Sequence, residues 1–284
     1  MRIIQYHTAT DFISDNLTLL ETEEAANNLI IGLAFGIKRQ KYPVEDCLLF
    51  AVIEAERSIF CALQTPNRNL TFYGEERAIP TAVSWLVDFC KERDHQIPGL
   101  VGPRALTVAF SEQWQEKTGI VWKVHMPQRV YQLDQVTDLS ESPGSFRKAR
   151  AEDKATIARW LIDFHEEAVD EDIRGEEMER AQKMLDADRL YLWEDEKPVS
   201  MAASTRSTAN GISINAVFTP KEFRKKGYAS SCVASLCRIL LTQGYQFCSL
   251  FTDADNPTSN KIYQDIGFKE VAKFQSIEFL PKEG

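Results

Sequence analysis

Ile214-Asn-Ala-Val-Phe-Thr-Pro-Lys-Glu-Phe-Arg-Lys-Lys-Gly-Tyr-Ala-Ser-Ser231 is the stretch on which the reading of this chain turns. An apolar strand ends at Phe218, a loop follows with three consecutive basic residues, Arg224, Lys225 and Lys226, and Gly227 stands where a helix begins. The first backbone N–H groups of a helix lack intrahelical acceptors and sit at the positive end of its dipole, so such a turn can cradle a diphosphate. A side chain at position 227 would hold a phosphate away from the backbone, and Ala229 keeps the first turn small. The basic residues add charge-assisted contacts. The same residues also suit a solvated basic turn before an ordinary amphipathic helix, and Arg-x-x-Gly-x-Ala alone does not separate the two. No G-x-x-x-x-G-K-S/T is present and no G-x-G-x-x-G follows a strand, so neither a P-loop NTPase nor a dinucleotide fold is supported.

Around this stretch the C-terminal half reads βααβββαβαββ. A short strand covers Phe146 to Arg150, and Asp153 is placed to cap a helix carrying Ile157, Trp160, Leu161 and Phe164 on one face. A second helix covers Glu176 to Leu185, and strands cover Leu190 to Trp193, Pro198 to Thr205 and, after Asn210-Gly211, Ile212 to Phe218. A helix from Ala229 to Leu241, a strand from Phe247 to Thr252, a short helix from Thr258 to Asp265 ended by Gly267, and two closing strands complete it. The N-terminal half has a similar order: helical signals from Ser14 to Lys38, strands at Cys47 to Ile53, Ile59 to Leu63 and Leu70 to Tyr73, a helix from Ala78 to Lys91, Leu100-Val101, a helix from Arg104 to Glu116 and a strand from Val121 to Leu133. The halves share element order without a residue-level repeat, and coincidence remains an alternative to common origin.

A length of 284 residues, at about 150 per domain, predicts two domains, and the polar stretch from Thr137 to Ser145 with Pro143-Gly144 marks the boundary. The composition, 44% hydrophobic and 26% charged, is ordinary for a folded protein. A net charge of −9 provides no long-range field toward nucleic acid or anionic lipid. The start lacks a signal-peptide pattern, and no apolar run approaches the roughly 20 residues of a membrane span, so the expected setting is soluble and cytoplasmic. Six cysteines without a CxxC pair, most inside apolar runs, read as reduced core residues, and His7, His95 and His125 are too dispersed for a metal site.

A second block at one strand–helix–strand remove, Leu250-Phe-Thr-Asp-Ala-Asp-Asn-Pro-Thr-Ser-Asn-Lys-Ile-Tyr-Gln-Asp-Ile-Gly-Phe268, narrows the reading. Arg224-x-x-Gly227-x-Ala229 after a strand, then Asn256, Ser259, Tyr263 and Gly267-Phe268, resembles the GNAT superfamily of acyl-CoA-dependent N-acyltransferases. Phe146-Arg-Lys-Ala-Arg-Ala-Glu-Asp153 is similar to that family's first strand and helix start. The resemblance covers residues 146 to about 280. It implies a mixed-sheet α/β fold in two tandem GNAT-like domains: a catalytic one at 144–284, and a degenerate one at 1–140 without a cofactor cradle.

The resemblance also implies roles. Backbone groups of Val217, Phe218 and Thr219 would bond a pantetheine arm in the splay between two strands. Arg224, Lys225, Lys226, Gly227, Tyr228, Ala229 and Ser230 would hold the pyrophosphate. Asn256 would hydrogen-bond the cofactor amide, Ser259 would lie near the same arm, and Tyr263 would stand beside the sulfur as the catalytic acid. Read without the family, these last three are an Asn before Pro in a turn, a helix-cap Ser and a core Tyr. The implied reaction is direct transfer of an acetyl group from acetyl-CoA, without a metal, to a primary amine of a small molecule or peptide.

The segment His165 to Glu179 carries eight carboxylates against Arg174. In the family this region lines the acceptor pocket. Its acidic rim would steer a cationic amine, and Glu167 or Asp170 could act as base through water, with Glu166 and Asp172 adding to the field. A solvated helix start, where acids suit the dipole, is the alternative. In the N-terminal half the equivalent turn, Thr71-Phe-Tyr-Gly-Glu-Glu-Arg-Ala78, has acids where a diphosphate needs cations. A non-catalytic acyl-CoA sensor is the competing function, and an aminoacyl ligase using charged tRNA is disfavoured by the acidic balance.

Overall fold

The computed structural model describes residues 1–168 and 172–280. In chain order the elements are β1 (Arg2–Gln5), α1 (Ala9–Glu21), α2 (Asn28–Lys38), β2 (Leu48–Glu54), β3 (Arg57–Gln64), β4 (Leu70–Gly74), α3 (Ile79–Glu92), β5 (Gly99–Pro103), α4 (Arg104–Thr118), β6 (Trp122–Leu133), β7 (Ser145–Lys148), α5 (Lys154–Ala168), α6 (Glu177–Asp186), β8 (Leu190–Asp195), β9 (Lys197–Ser207), β10 (Gly211–Phe218), α7 (Tyr228–Thr242), β11 (Phe247–Asp253), α8 (Pro257–Ile266) and β12 (Lys269–Phe279). The chain forms two compact units, one of Met1–Val130 with the strand from Glu270 onward, the other of Tyr131–Lys269. This division differs from the contiguous spans 1–140 and 144–284 in two places: the first unit ends inside β6, and the last strand returns to it. A single strand, β12, also stands where two closing strands were expected, and β1 precedes the helices where the sequence reading began with Ser14.

The first unit has strand order β1-β2-β3-β4-β5-β12-β6. Its strands β2 and β3 are buried on both faces. Phe50, Phe60 and Phe72 pack under α3 and α4 on one face. Leu49, Ala51 and Cys61 face α1 and α2 on the other. The alternation follows from the two-residue period of a strand.

In the second unit the order is β11-β10-β9-β8-β7. Leu190, Leu192, Met201, Ala203, Ala216 and Phe218 turn to α5 and α6, burying Ile157, Trp160 and Leu161. Trp193, Ala202, Ile212, Ile214, Cys248 and Leu250 turn the other way, to α7 and α8. Asp153 is nearly buried at the start of α5, where its carboxylate accepts from the Arg150 N–H at 2.8 Å and pairs with Arg147 through both guanidinium arms at 2.7 and 2.9 Å. All six cysteines are free. Among the described residues no helix is long and apolar enough to cross a membrane, and no cluster of His, Cys, Asp or Glu could hold a metal.

Candidate active site

The site begins where two parallel strands part. β10 and β11 are in register at Gly211–Phe247, Ile212–Cys248 and Ser213–Ser249, and beyond Ser213 they no longer pair. The cause lies in β10. Its register with β9 shifts between Asn215 and Phe218, a β-bulge that bends the strand away from β11. Ala216 in the bulge takes φ 49°, left-handed backbone that costs a non-glycine residue about 1 kcal/mol, and the Asn215 side chain accepts its N–H at 2.7 Å. Past the bulge Phe218 is back in register with Met201. Its carbonyl is turned to β9, where the buried Ser200 hydroxyl lies 3.1 Å away, and that hydroxyl is also 2.9 Å from Thr219 Oγ1. The Thr219 carbonyl accepts from Arg224 Nε at 2.9 Å. Of the three residues expected to bond an arm in the splay, Val217 is therefore the one whose peptide meets no side chain among the described residues.

The loop after β10 delivers the chain to α7 through two left-handed residues, Lys225 at φ 64° and Gly227 at φ 80°. Gly227 is the N-cap and no side chain caps the helix, so the N–H groups of Tyr228, Ala229 and Ser230 stay open to an anion. Lys225 and Lys226 are exposed and pair with no carboxylate among the described residues. The Tyr228 side chain turns inward, its hydroxyl donating to Asp195, which leaves only its backbone for a ligand. Gly227 serves a further purpose that the sequence did not show. A Cβ there would lie 2.6 Å from Ser142 Oγ. That hydroxyl donates to the Lys226 carbonyl at 2.8 Å, while the Ser142 N–H donates to Ser231 Oγ at 2.9 Å. The stretch read as a linker is thus packed on the helix start.

At α8, Asn256 is the N-cap, its side-chain oxygen accepting the Ser259 N–H at 3.0 Å, with its NH2 unbonded among the described residues. Asn260, one turn on, escaped the sequence reading. Its buried amide donates to the carbonyls of Asp253 at 2.9 Å, Ala254 at 3.3 Å and Asn256 at 2.7 Å, fixing the turn that presents Asn256. Tyr263 is buried between Tyr131, with ring centroids 6.3 Å apart, and Phe268, at 5.8 Å. Its hydroxyl makes no hydrogen bond to a described residue, and burial drives its pKa above the ordinary phenol range, so it keeps its proton.

Residues 194–277 match the model of the family described as FR47-like protein. The whole chain is similar to an acetyltransferase from the GNAT family of Colwellia psychrerythraea, at 12% identity over 98% of this chain and 99% of that one, with a TM-score of 0.57. A GCN5-related N-acetyltransferase from Sphaerobacter thermophilus covers 87% of this chain and 85% of its own at 16% identity and TM-score 0.60. A tandem GNAT protein from the clavulanic acid biosynthesis pathway covers 99% of both chains at 11% identity and TM-score 0.60.

The chain has the GNAT fold.

One sequence relative is unlike these: 64 residues are 38% identical to part of fructan 6-exohydrolase of Triticum aestivum. That match spans 22% of this chain and 11% of that protein, too little of either to carry an argument about activity.

Among the described residues, the acidic segment at the end of α5 is largely paired. Arg174 bonds Glu166 and, at 3.2 Å, Asp172. Glu167 takes Arg224 Nη2 at 2.6 Å and Lys221 Nζ at 3.3 Å. Partial burial works against ionisation of Glu167, yet Arg224 and Lys221 outweigh it and hold its carboxyl below the usual range, which suits a counter-ion better than a base. Asp170 lies outside the described residues. His165 Nδ1 is 2.8 Å from the Leu161 carbonyl, an ordinary helix contact. A cleft of about 300 Å³ runs between Trp160, Asp163, Glu166 and Glu167 of α5 and Phe218, Pro220, Lys221 and Glu222. Another, of about 700 Å³, lies along Gln132, residues 134–138, Gln264 and residues 267–269 and holds none of the residues expected to bind cofactor or to act in catalysis.

In the first unit the equivalent strands β4 and β5 are in register at Leu70–Leu100 and Thr71–Val101. Phe72 stacks between Phe60 and Phe110 at this point. Glu75, ahead of α3, bonds Arg57 and Arg77, whose hydrogen bonds and charges hold it ionised below its ordinary range. β4 and β5 also stop pairing, after Thr71–Val101, but the aromatic stack of Phe72 lies at that point and Glu75 stands where the second unit has free lysines.

Proposed function

We propose that the second unit transfers an acetyl group from acetyl-CoA to a primary amine of a small molecule or peptide, by direct attack in a ternary complex. The observation that carries this reading is the parting of β10 and β11 after Ser213–Ser249, with β10 leading through its loop into an uncapped, glycine-started α7.

The residues fit the donor's parts. The N–H groups of Tyr228, Ala229 and Ser230, with Lys225, Lys226 and, once parted from Glu167, Arg224, would hold a diphosphate. Val217 would bond the arm as an added strand does, Asn256 would donate its free NH2 to an arm amide, and Ser259 lies on the same turn of α8. Bound acetyl-CoA supplies an activated thioester. The Val217 N–H then steadies negative charge growing on the thioester carbonyl oxygen, and holding both reactants in place lowers the barrier to attack by a neutral amine. Tyr263 holds a proton at its Oη for the departing thiolate. Because a free thiol has a pKa of about 8.5, that proton assists without being obligatory. Phe218 gives packing against Trp160, and its carbonyl is committed to β9. The first unit would take no acyl-CoA.

Calorimetric titration of acetyl-CoA into the whole chain tests this. One molecule bound per chain, lost in a Lys225→Glu/Lys226→Glu variant, would support the cradle, and two per chain would contradict the assignment of the first unit. A glycine-227 variant serves less well, because its side chain would meet Ser142 before any ligand. Release of free thiol with a pooled panel of amines would support catalysis, and binding without release would make the protein a sensor.

A further inference from the structure

We infer that Glu167 is an internal counter-anion of the diphosphate cradle, a carboxylate that the incoming cofactor displaces and that therefore sets the protein's affinity for diphosphate-bearing donors. The inference rests on the cofactor reading above.

Four cations stand on the loop between β10 and α7: Lys221, Arg224, Lys225 and Lys226. They fall into two classes. Lys225 and Lys226 meet no carboxylate among the described residues, whereas Arg224 and Lys221 converge on the two oxygens of Glu167, Nη2 to Oε2 at 2.6 Å and Nζ to Oε1 at 3.3 Å. A carboxylate bridging two cations has the charge and spacing of a phosphate group. Arg224 is committed in two further ways, its Nε donating to the Thr219 carbonyl at 2.9 Å and its guanidinium carbon lying 5.8 Å from the centre of the Phe218 ring. These contacts hold the guanidinium on the strand end that leads into the splay, so breaking the Glu167 pair would free charge without scattering the side chain.

Glu167 belongs to the last turn of α5, so the pair ties that helix end to the loop. A negative charge near a helix C-terminus is disfavoured by the dipole, and the two cations offset this. Binding a diphosphate replaces one anion by another on Arg224 and Lys221. Glu167 is thereby a competitor present at high effective concentration. The pair is about one-third exposed on each side, so the competition is modest and salt-sensitive.

The test is calorimetry on the full chain with two probes: acetyl-CoA, and an acetyl thioester of pantetheine, which lacks the diphosphate. Glu167→Gln should bind acetyl-CoA about three- to tenfold more tightly than wild type, with the gain shrinking as salt is raised. Its affinity for the acetyl-pantetheine probe should not move. Glu167→Ala should behave alike, which separates charge from a new hydrogen bond made by Gln. Weaker or unchanged acetyl-CoA binding by Glu167→Gln would overturn the inference, as would an equal gain for both probes, which would indicate altered packing of α5. If wild type itself binds no acetyl-CoA, the cofactor reading fails first.

Discussion

Asn260 offers a one-atom test of how the site is held. Its side-chain NH2 serves three carbonyls of the turn between β11 and α8, two at good distance, 2.7 and 2.9 Å, and one long, at 3.3 Å. Asn260→Ala loses about two effective hydrogen bonds and leaves carbonyls unpaired, about 2 kcal/mol in all. Asn260→Asp is worse although it changes only nitrogen to oxygen. An acceptor then faces acceptors at a buried position, and either a charge or a proton must be accommodated, about 3–4 kcal/mol. The assay is hydrogen exchange of the α8 amides, because the turn opens locally and a global transition of a two-unit chain would blur it. About 2 kcal/mol corresponds to about thirtyfold lower protection in the Ala variant, and the Asp variant should fall beyond a hundredfold. Since the turn carries Asn256, acetyl-CoA affinity should drop in the same order. An Asp variant as well protected as wild type, or better than Ala, would show that the amide does not donate to these carbonyls.

Three further outcomes are expected. Tyr263→Phe should lower turnover about ten- to a hundredfold near pH 7 with little change in acetyl-CoA affinity, the gap narrowing above the thiol pKa of about 8.5; an unchanged kcat removes Tyr263 from the chemistry. Gly227→Ala should destabilise by about 1–2 kcal/mol, and the loss should shrink in a Ser142→Ala background, where the oxygen 2.6 Å from the new Cβ is gone; equal losses in both backgrounds, measured by thermal unfolding, would mean backbone conformation alone is responsible. Burial pushes the Asp153 carboxyl up, but the Arg147 fork and the Arg150 N–H hold it below its ordinary value, so its stabilisation is complete above about pH 5 and is lost as pH falls through the lowered folded-state value. Asp153→Asn should cost about 3 kcal/mol at neutral pH and flatten the acid-side loss, as urea titrations at several pH values would show.

Much of this was written locally in the sequence. Gly227 and Gly267 mark helix ends because both sit at positive φ, 80° and 112°, and Asn210-Gly211 opens a hairpin strand. Period-two and helical patterns placed β8 to β11 and α6 to α8 within a residue or two, while α5 runs four residues past Phe164, to Ala168, into the segment read as lying between two helices. What stayed hidden depends on contacts distant in sequence. Ser142 reads as linker until Lys226 and Ser231 are seen beside it. Ser200 stands between the apolar Val199 and Met201 of β9, and only the return of β10 past its bulge shows that it occupies the Phe218 carbonyl. Glu167 is one of eight carboxylates in its segment, and nothing in its neighbours foretells that Arg224 will select it. β1, four residues with little burial, lacks the apolar signal that revealed the other strands.

The return of β12 to the first unit bears on how the protein is made. Ile277 lies in register with Leu100, so the sheet of the first unit lacks an inner strand until β12, Lys269–Phe279, has been synthesised. Every residue of Tyr131–Lys269 emerges from the ribosome before that strand does. Although it starts second, the unit with the open splay is the first whose own chain is complete, and the N-terminal unit must wait with an unpaired β5 edge. A premature stop near residue 269 would consequently spare the residues assigned to chemistry and strike the other unit.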